Sequence, residues 1–265
     1  MIGVFDSGLG GLSVLRQIRR QLPDHSVLYL ADTANVPYGD KPISVVRDLA
    51  LSLTDKLVEA GAELVFMASG TSTVAGLAAA QSRYPKIPIL GTIEAGASAA
   101  LQAGQGRIGV LSTNATARSL AFTQAVQAIE LSRSVIEQGC PRFVPLVENG
   151  FCETPEAEAA AREYLLPLAE AGAEIIILGC THFPFLLPAL EQAAAGLSRT
   201  HNFHPLFVDP AQESVQEAAC LLAALPPADT PPTIAFAATG NPGEFRHFAG
   251  LLLGERLPPV GTLVL

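Results

Sequence analysis

Short apolar runs alternate with longer stretches of helical periodicity along almost the whole chain. The runs at residues 2–5, 27–31, 64–68, 87–91, 107–111, 142–145, 174–179 and 205–209 lie between residues such as Gly, Pro and Asp. Runs of that length between turn formers predict buried strands of a parallel sheet. Residues 12–21, 43–60 and 155–171 carry the three-to-four-residue apolar spacing of amphipathic helices. This alternation predicts an α/β fold with helices on both sheet faces. Past residue 205 the pattern predicts a helix over 212–225, a Pro-rich loop over 226–232, a short strand over 233–237 and a turn over 238–243. We expect this tail to pack back on the first half.

One strand-plus-turn segment occurs twice. Gly61-Ala62-Glu63-Leu64-Val65-Phe66-Met67-Ala68-Ser69-Gly70-Thr71 parallels Gly172-Ala173-Glu174-Ile175-Ile176-Ile177-Leu178-Gly179-Cys180-Thr181-His182. Upstream of each, Ile2-Gly3-Val4-Phe5-Asp6-Ser7-Gly8 parallels Ile108-Gly109-Val110-Leu111-Ser112-Thr113-Asn114. Gly3 and Gly61 are 58 positions apart, Gly109 and Gly172 63. Common order and near-equal spacing predict two pseudo-symmetric α/β lobes with largely parallel sheets. Residues 1–96 plus 206–265 are expected to form the first lobe and 97–205 the second. Open α/β sheets bind ligands at the C-terminal ends of their strands. The repeat therefore offers two half-sites, one ending in Ser69 and one in Cys180.

Composition narrows the function classes. Hydrophobic residues make up 49% of the 265 and charged ones 15%, which predicts a large core and argues against disorder. A net charge of −9 disfavours nonspecific binding to nucleic acid or anionic membrane. Cysteines 140, 152, 180 and 220 are too widely spaced for a zinc or dithiol motif. No apolar run reaches the roughly 20 residues of a membrane span. The start predicts no signal peptide, so a reduced, cytoplasmic, soluble protein is expected.

Four stretches could carry chemistry. Asp6-Ser7-Gly8-Leu9-Gly10-Gly11 follows a strand and opens a helix, where glycines let amides approach an anion, although the dinucleotide spacing is missing. Pro37-Tyr38-Gly39-Asp40 forms a turn, and Glu148 is expected just beyond a strand over 142–145. In Cys180-Thr181-His182 a thiol at a strand end precedes an imidazole that could exchange its proton. No G-x-S-x-G elbow surrounds Ser69, which argues against a serine hydrolase.

The stretch from Gly3 to Leu15, together with Pro37-Tyr38-Gly39, Phe143–Glu148, Leu178–Pro184, and Thr239-Gly240 with Glu244-Phe245-Arg246, resembles the glutamate racemases of the aspartate/glutamate racemase family. The motifs span nearly the whole chain in the family's order. The resemblance implies a cofactor-independent racemase with its site between two lobes, glutamate as substrate, inversion at Cα by two opposed thiols, and D-glutamate supplied to peptidoglycan. It implies no metal, no nucleic-acid or membrane partner, and a homodimer by analogy. Carried over by motif, Asp6, Ser7, Tyr38, Gly39, Gly70, Thr71, Thr181 and His182 would contact the substrate. Asp6 would also assist the first acid/base at position 69, His182 would assist Cys180, and Glu148 would be an auxiliary charge near that thiol.

The chain departs from the family at one place. The family's Ala-Cys-Asn-Thr reads Ala68-Ser69-Gly70-Thr71, so a hydroxyl replaces a thiol and a glycine replaces an asparagine. Three readings follow: a racemase of reduced activity or one rescued by another group acting from the Ser69 face, a catalytically silent homologue that binds glutamate or a related diacid, or a chain altered at the site to trap substrate, which the added Gly70 argues against.

Overall fold

The computed structural model describes residues 1–223 and 231–265. In the first half, β1 (Ile2–Asp6), α1 (Leu12–Gln21), β2 (Val27–Ala31), α2 (Ile43–Glu59), β3 (Leu64–Met67), α3 (Gly70–Arg83), β4 (Ile89–Leu90) and α4 (Ile93–Ala103) follow one another. The second half runs β5 (Ile108–Ser112), α5 (Asn114–Ser119), α6 (Ala121–Ile129), β6 (Val135–Gly139), α7 (Phe143–Glu148), α8 (Pro155–Glu170), β7 (Ile175–Leu178), α9 (Leu187–His201) and β8 (Leu206–Val208). The tail holds α10 (Pro210–Leu222), β9 (Ile234–Ala238), α11 (Pro242–Leu253) and β10 (Val260–Thr262). The end of the expected helix over 212–225 and most of the loop over 226–232 lie outside the described residues.

Two parallel sheets carry the fold, ordered β10-β9-β2-β1-β3-β4 and β6-β5-β7-β8. The order β2-β1-β3-β4 is repeated as β6-β5-β7-β8. Register repeats as well. Ile2 faces Leu64 and Phe5 faces Met67, while Ile108 faces Ile175 and Leu111 faces Leu178. The turns entering β3 and β7 also match: Gly61 (φ 89°) and Gly172 (φ 70°) both use the left-handed region that favours glycine. The duplicated sequence pattern is thus a duplicated backbone.

Each central strand is fully buried because helices cover both faces of its sheet. β1 and β5 have every residue buried. Leu12, Val14, Leu15 and Ile18 of α1 are buried against the first sheet, and the aromatic side chains of Phe143, Tyr164 and Phe183 stack edge-on in the second half. At about 25 cal/mol per Å² of apolar surface, burying each such side chain contributes roughly 1.5–3 kcal/mol.

The structure corrects two expectations and adds one strand. Residues 142–145 do not form a strand: the strand in this region is β6, just upstream, and Phe143–Glu148 is a helix. Pro145 lies within that helix's first turn, where no amide is needed, so a short apolar run that tolerates proline has the look of a strand in sequence. The tail does return to the first sheet, since β9 pairs with β2, and it adds the unexpected edge strand β10. β8, expected in the first lobe, pairs instead with β7, so the chain leaves the second sheet after Val208.

Candidate active site

The C-terminal strand ends of both sheets face each other across one narrow cavity. Asp6 and Ser7 reach it from the end of β1, and Ser69, Gly70 and Thr71 from the end of β3. Tyr38 and Gly39 close one side. From the second half come Cys180, Thr181 and His182, past the end of β7. All the sequence-derived site residues therefore line this cavity except Glu148, which lies behind His182.

Three further residues belong here and were not singled out from sequence. Thr113 and Asn114 follow β5 as Ser7 and Gly8 follow β1, so the repeat itself was the signal. Thr113 Oγ1 is 3.0 Å from Thr71 Oγ1 across the lobes. Cys140 also lines the cavity, but burial pushes its thiol well above the ordinary range. Cys152 is pushed up to about 11 by burial and by Glu153.

Cys180 has a different environment. Its Sγ is 3.6 Å from His182 Nδ1, and His182 Nε2 is 2.6 Å from Glu148 Oε1. A carboxylate can only accept, so Nε2–H donates to Glu148 and Nδ1 is left to trade a proton with Sγ. Burial works against charge on His182, yet the hydrogen bonds and charges of Cys180 and Glu148 outweigh it and raise its pKa well above the usual value. The imidazole thus stands between the thiol and the carboxylate, placed to exchange a proton with Sγ.

Glu148 Oε1 also accepts the Leu9 N–H at 2.8 Å, so the same carboxylate joins the lobes. This gives the glycine turn its use. A Cβ on Gly8 would overlap Glu148 Oε1, and one on Gly10 would overlap His182 Nδ1. The sequence suggested an approach to an anionic ligand. In the structure the anions are the protein's own: Leu9 N–H meets Glu148, and Gly11 N–H donates to Asp6 Oδ2 at 2.8 Å.

Ser69 plays a local role. Its Oγ accepts the Ser72 N–H at 3.3 Å, which makes it the N-cap of α3. No base is hydrogen-bonded to that hydroxyl among the described residues. A serine becomes a proton carrier only with such a base. The helix N-terminus favours the alkoxide by at most about 2 kcal/mol, roughly one and a half pKa units, too little to populate it near neutral pH. Gly70 opens the helix, and a Cβ there would stand 3.0 Å from the Gly179 carbonyl oxygen. Here the lobes touch backbone to backbone, a contact that the family's asparagine would press apart by a few tenths of an ångström.

Tyr38 is held from behind. Its hydroxyl donates to Asp32 Oδ2 at 2.6 Å, and Asp32 Oδ1 accepts from Thr239 Oγ1 at 2.6 Å and Asn35 Nδ2 at 3.0 Å. Burial, with Asp32 beside it, raises the phenol far above its ordinary value, so Tyr38 offers the cavity its ring and no proton. Removing one donor from this buried carboxylate costs about 1–3 kcal/mol. Tyr38→Phe is therefore expected to lower stability by that amount in denaturant titration, and an unchanged midpoint would contradict the network.

His182 also makes stability depend on pH. A histidine whose folded pKa is raised above its unfolded value contributes fully below that unfolded value, about 6.5. The contribution is lost as pH rises through the folded value. Glu148→Gln removes one raising partner, so its stability curve should fall less as pH climbs from 6. Parallel slopes for the two proteins in denaturant titrations would contradict the coupling.

Comparison with known proteins identifies the family. A match to the Asp/Glu/hydantoin racemase family spans residues 2–218. The chain belongs to this family.

Among its relatives, a glutamate racemase from Desulforudis audaxviator is 38% identical, covering all of this chain and 97% of its own length. One from Microcystis aeruginosa is 40% identical over 96% of this chain and 87% of its own. In the solved structures, a glutamate racemase isoform from Bacillus anthracis superposes with a TM-score of 0.91 at 30% identity, covering all of this chain and 97% of that one. The Thermus thermophilus glutamate racemase, in complex with β-chloro-D-alanine, gives 0.85 at 36%, covering all of this chain and 96% of its own. Racemases of the family thus share this fold over its full length, and the two-lobed α/β architecture expected from sequence is the observed one.

Proposed function

We propose that this chain interconverts L- and D-glutamate by proton transfer at Cα in the cavity between its two sheets. The observation that carries the reading is the Cys180–His182–Glu148 chain at the end of β7, a thiol with its own proton partner facing a second set of polar strand ends. Inversion needs an acid and a base on opposite faces of a planar carbanion, each with a pKa near the working pH. The duplicated strand ends supply two opposed faces. The glutamate racemases named above support the choice of substrate, as does a Francisella tularensis glutamate racemase solved in complex with D-glutamate.

Cys180 is the acid/base on the second face, with His182 trading its proton and Glu148 holding His182. Among the described lining residues there is no Lys or Arg. Substrate carboxylates are therefore held by neutral donors: the side chains of Ser7, Thr71 and Asn114 and the main-chain N–H groups of Thr113 and Thr181, with the first amides of α3. Thr181 Oγ1 donates to the Ala68 carbonyl at 3.0 Å, so its position depends on closure of the lobes. The ring of Tyr38 and the backbone of Gly39 shape the wall. D-Glutamate so formed would supply peptidoglycan synthesis.

The test uses the intact chain with L-glutamate and, separately, D-glutamate in D₂O, following optical rotation and α-deuteration. Inversion of both enantiomers is expected. Measurable binding with neither exchange nor inversion would replace this reading by that of a silent diacid-binding protein, the alternative that Ser69-Gly70 favours.

A further inference from the structure

We propose that Asp6 itself, and not Ser69, carries the proton on the first-lobe face of the substrate. This rests on the racemase reading and deepens it. Phe5 and Met67 are in register, and the Ala68 N–H donates to the Phe5 carbonyl at 2.9 Å. Asp6 and Ser69 therefore leave neighbouring strands side by side at the same end of the sheet. Both line the cavity that Cys180 enters from the other lobe.

Their side chains are committed differently. Ser69 Oγ is occupied in capping α3. Asp6 uses one oxygen for structure: Oδ2 accepts from Gly11 N–H at 2.8 Å and from Gly8 N–H at 3.4 Å. The other oxygen, Oδ1, is buried and has no partner, in a residue only 1% exposed. A buried carboxylate oxygen left unpaired, in a residue of the cavity wall, is a group waiting for a proton or a donor. Burial raises this carboxyl above the ordinary range, and Glu148 adds to the rise, while His182 and the Gly11 N–H pull it down. A carboxyl shifted upward in this way is a better proton carrier than an ordinary carboxylate, and a serine hydroxyl without a base is none.

The reaction balances with these two groups alone. With one enantiomer, the Cys180 thiolate takes the α-proton, and the C–H electron pair moves into the α-carboxylate as an enediolate. The protonated Asp6 carboxyl then delivers its proton to the opposite face of Cα. Cys180 ends as a thiol and Asp6 as a carboxylate. With the other enantiomer each step runs in reverse, and exchange with solvent resets the free protein.

Three proteins test the assignment: the wild type, Asp6→Asn and Ser69→Ala, each incubated with L- and D-glutamate in D₂O and read by α-proton NMR. The Asp6→Asn side chain keeps an oxygen for the Gly11 N–H and removes the carrier. Asp6→Asn is expected to lose α-exchange with one enantiomer by about 10²–10⁴, and to keep exchange without inversion with the other, through Cys180. Ser69→Ala is expected to keep exchange with both. The proposal is overturned if Ser69→Ala loses one enantiomer while Asp6→Asn keeps both. It is equally overturned if Asp6→Asn loses both together, which would assign Asp6 to holding the glycine turn alone. A wild type that inverts neither enantiomer would instead sink the racemase reading itself.

Discussion

Cys180→Ala is expected to lower proton exchange with one glutamate enantiomer by about 10²–10⁴, the usual contribution of a positioned acid or base. Inversion should disappear with it, because inversion needs both faces. Exchange with the opposite enantiomer should survive, since the first-lobe carboxylate does not depend on the thiol. The reason for choosing this cysteine is its surroundings. Cys140 lines the same cavity, yet burial raises its thiol well above the ordinary range, and its Sγ donates to the Gln138 carbonyl at 3.4 Å. Cys180 has His182 at 3.6 Å, and His182 is backed by Glu148. Cys140→Ala therefore serves as the comparator, expected to act through packing. If the two variants lost the same activity with the same enantiomer, the role given to the histidine partner would be wrong.

The second large effect is expected from a residue with no side chain. Gly10→Ala would place a methyl group on His182 Nδ1 and 2.8 Å from Thr181 Oγ1. Gly10 does not have positive φ, so the cost arises from the approach of the other lobe and not from backbone strain. Overpacking of this kind costs about 1–3 kcal/mol. It also breaks the Cys180–His182 contact or forces the lobes apart, so exchange through Cys180 should fall at least tenfold. Gly261→Ala is a fair control, because its new methyl would meet only ordinary contacts at 3.7–3.8 Å. Equal thermal midpoints and equal exchange rates for the two variants would show that the lobes do not meet as described.

These two experiments probe the same join from opposite sides. Glu148 accepts from Leu9, Thr181 donates to Ala68, and Gly70 lies against Gly179. The site is thus assembled from contacts between residues more than a hundred positions apart in sequence. Restoring the family's asparagine at position 70 would have to open this join slightly, so Ser69→Cys alone is a cleaner gain-of-thiol variant than the double change.

Much of this was legible in the chain. Apolar runs with glycine and aspartate at their ends gave the buried parallel strands, because a strand covered on both faces has no polar side to show. The duplicated segment gave two half-sites, because equal strand-and-turn sequences fold to equal registers. Cys180 and His182 could be paired from sequence, because two residues at the end of one strand share one turn. Residues 142–145 resemble a strand because a short apolar run has no period to separate helix from strand. β6 escapes a reading of apolar runs because Val135–Gly139 is only partly buried and carries Glu137 and Gln138 in its middle.

What the sequence determined by itself is the set of groups: a thiol with a nearby imidazole on one half, a hydroxyl and a glycine on the other, and a carboxylate at the end of each relevant segment. What only the tertiary structure decided is the duty of each. Burial and partners set a proton's affinity, and neither is a local property of the chain. Packing the lobes together placed Glu148 behind His182, turned the glycines into clearance for that pair, and gave the Ser69 hydroxyl to a helix cap. It left one oxygen of Asp6, a residue of the cavity wall, buried without a partner.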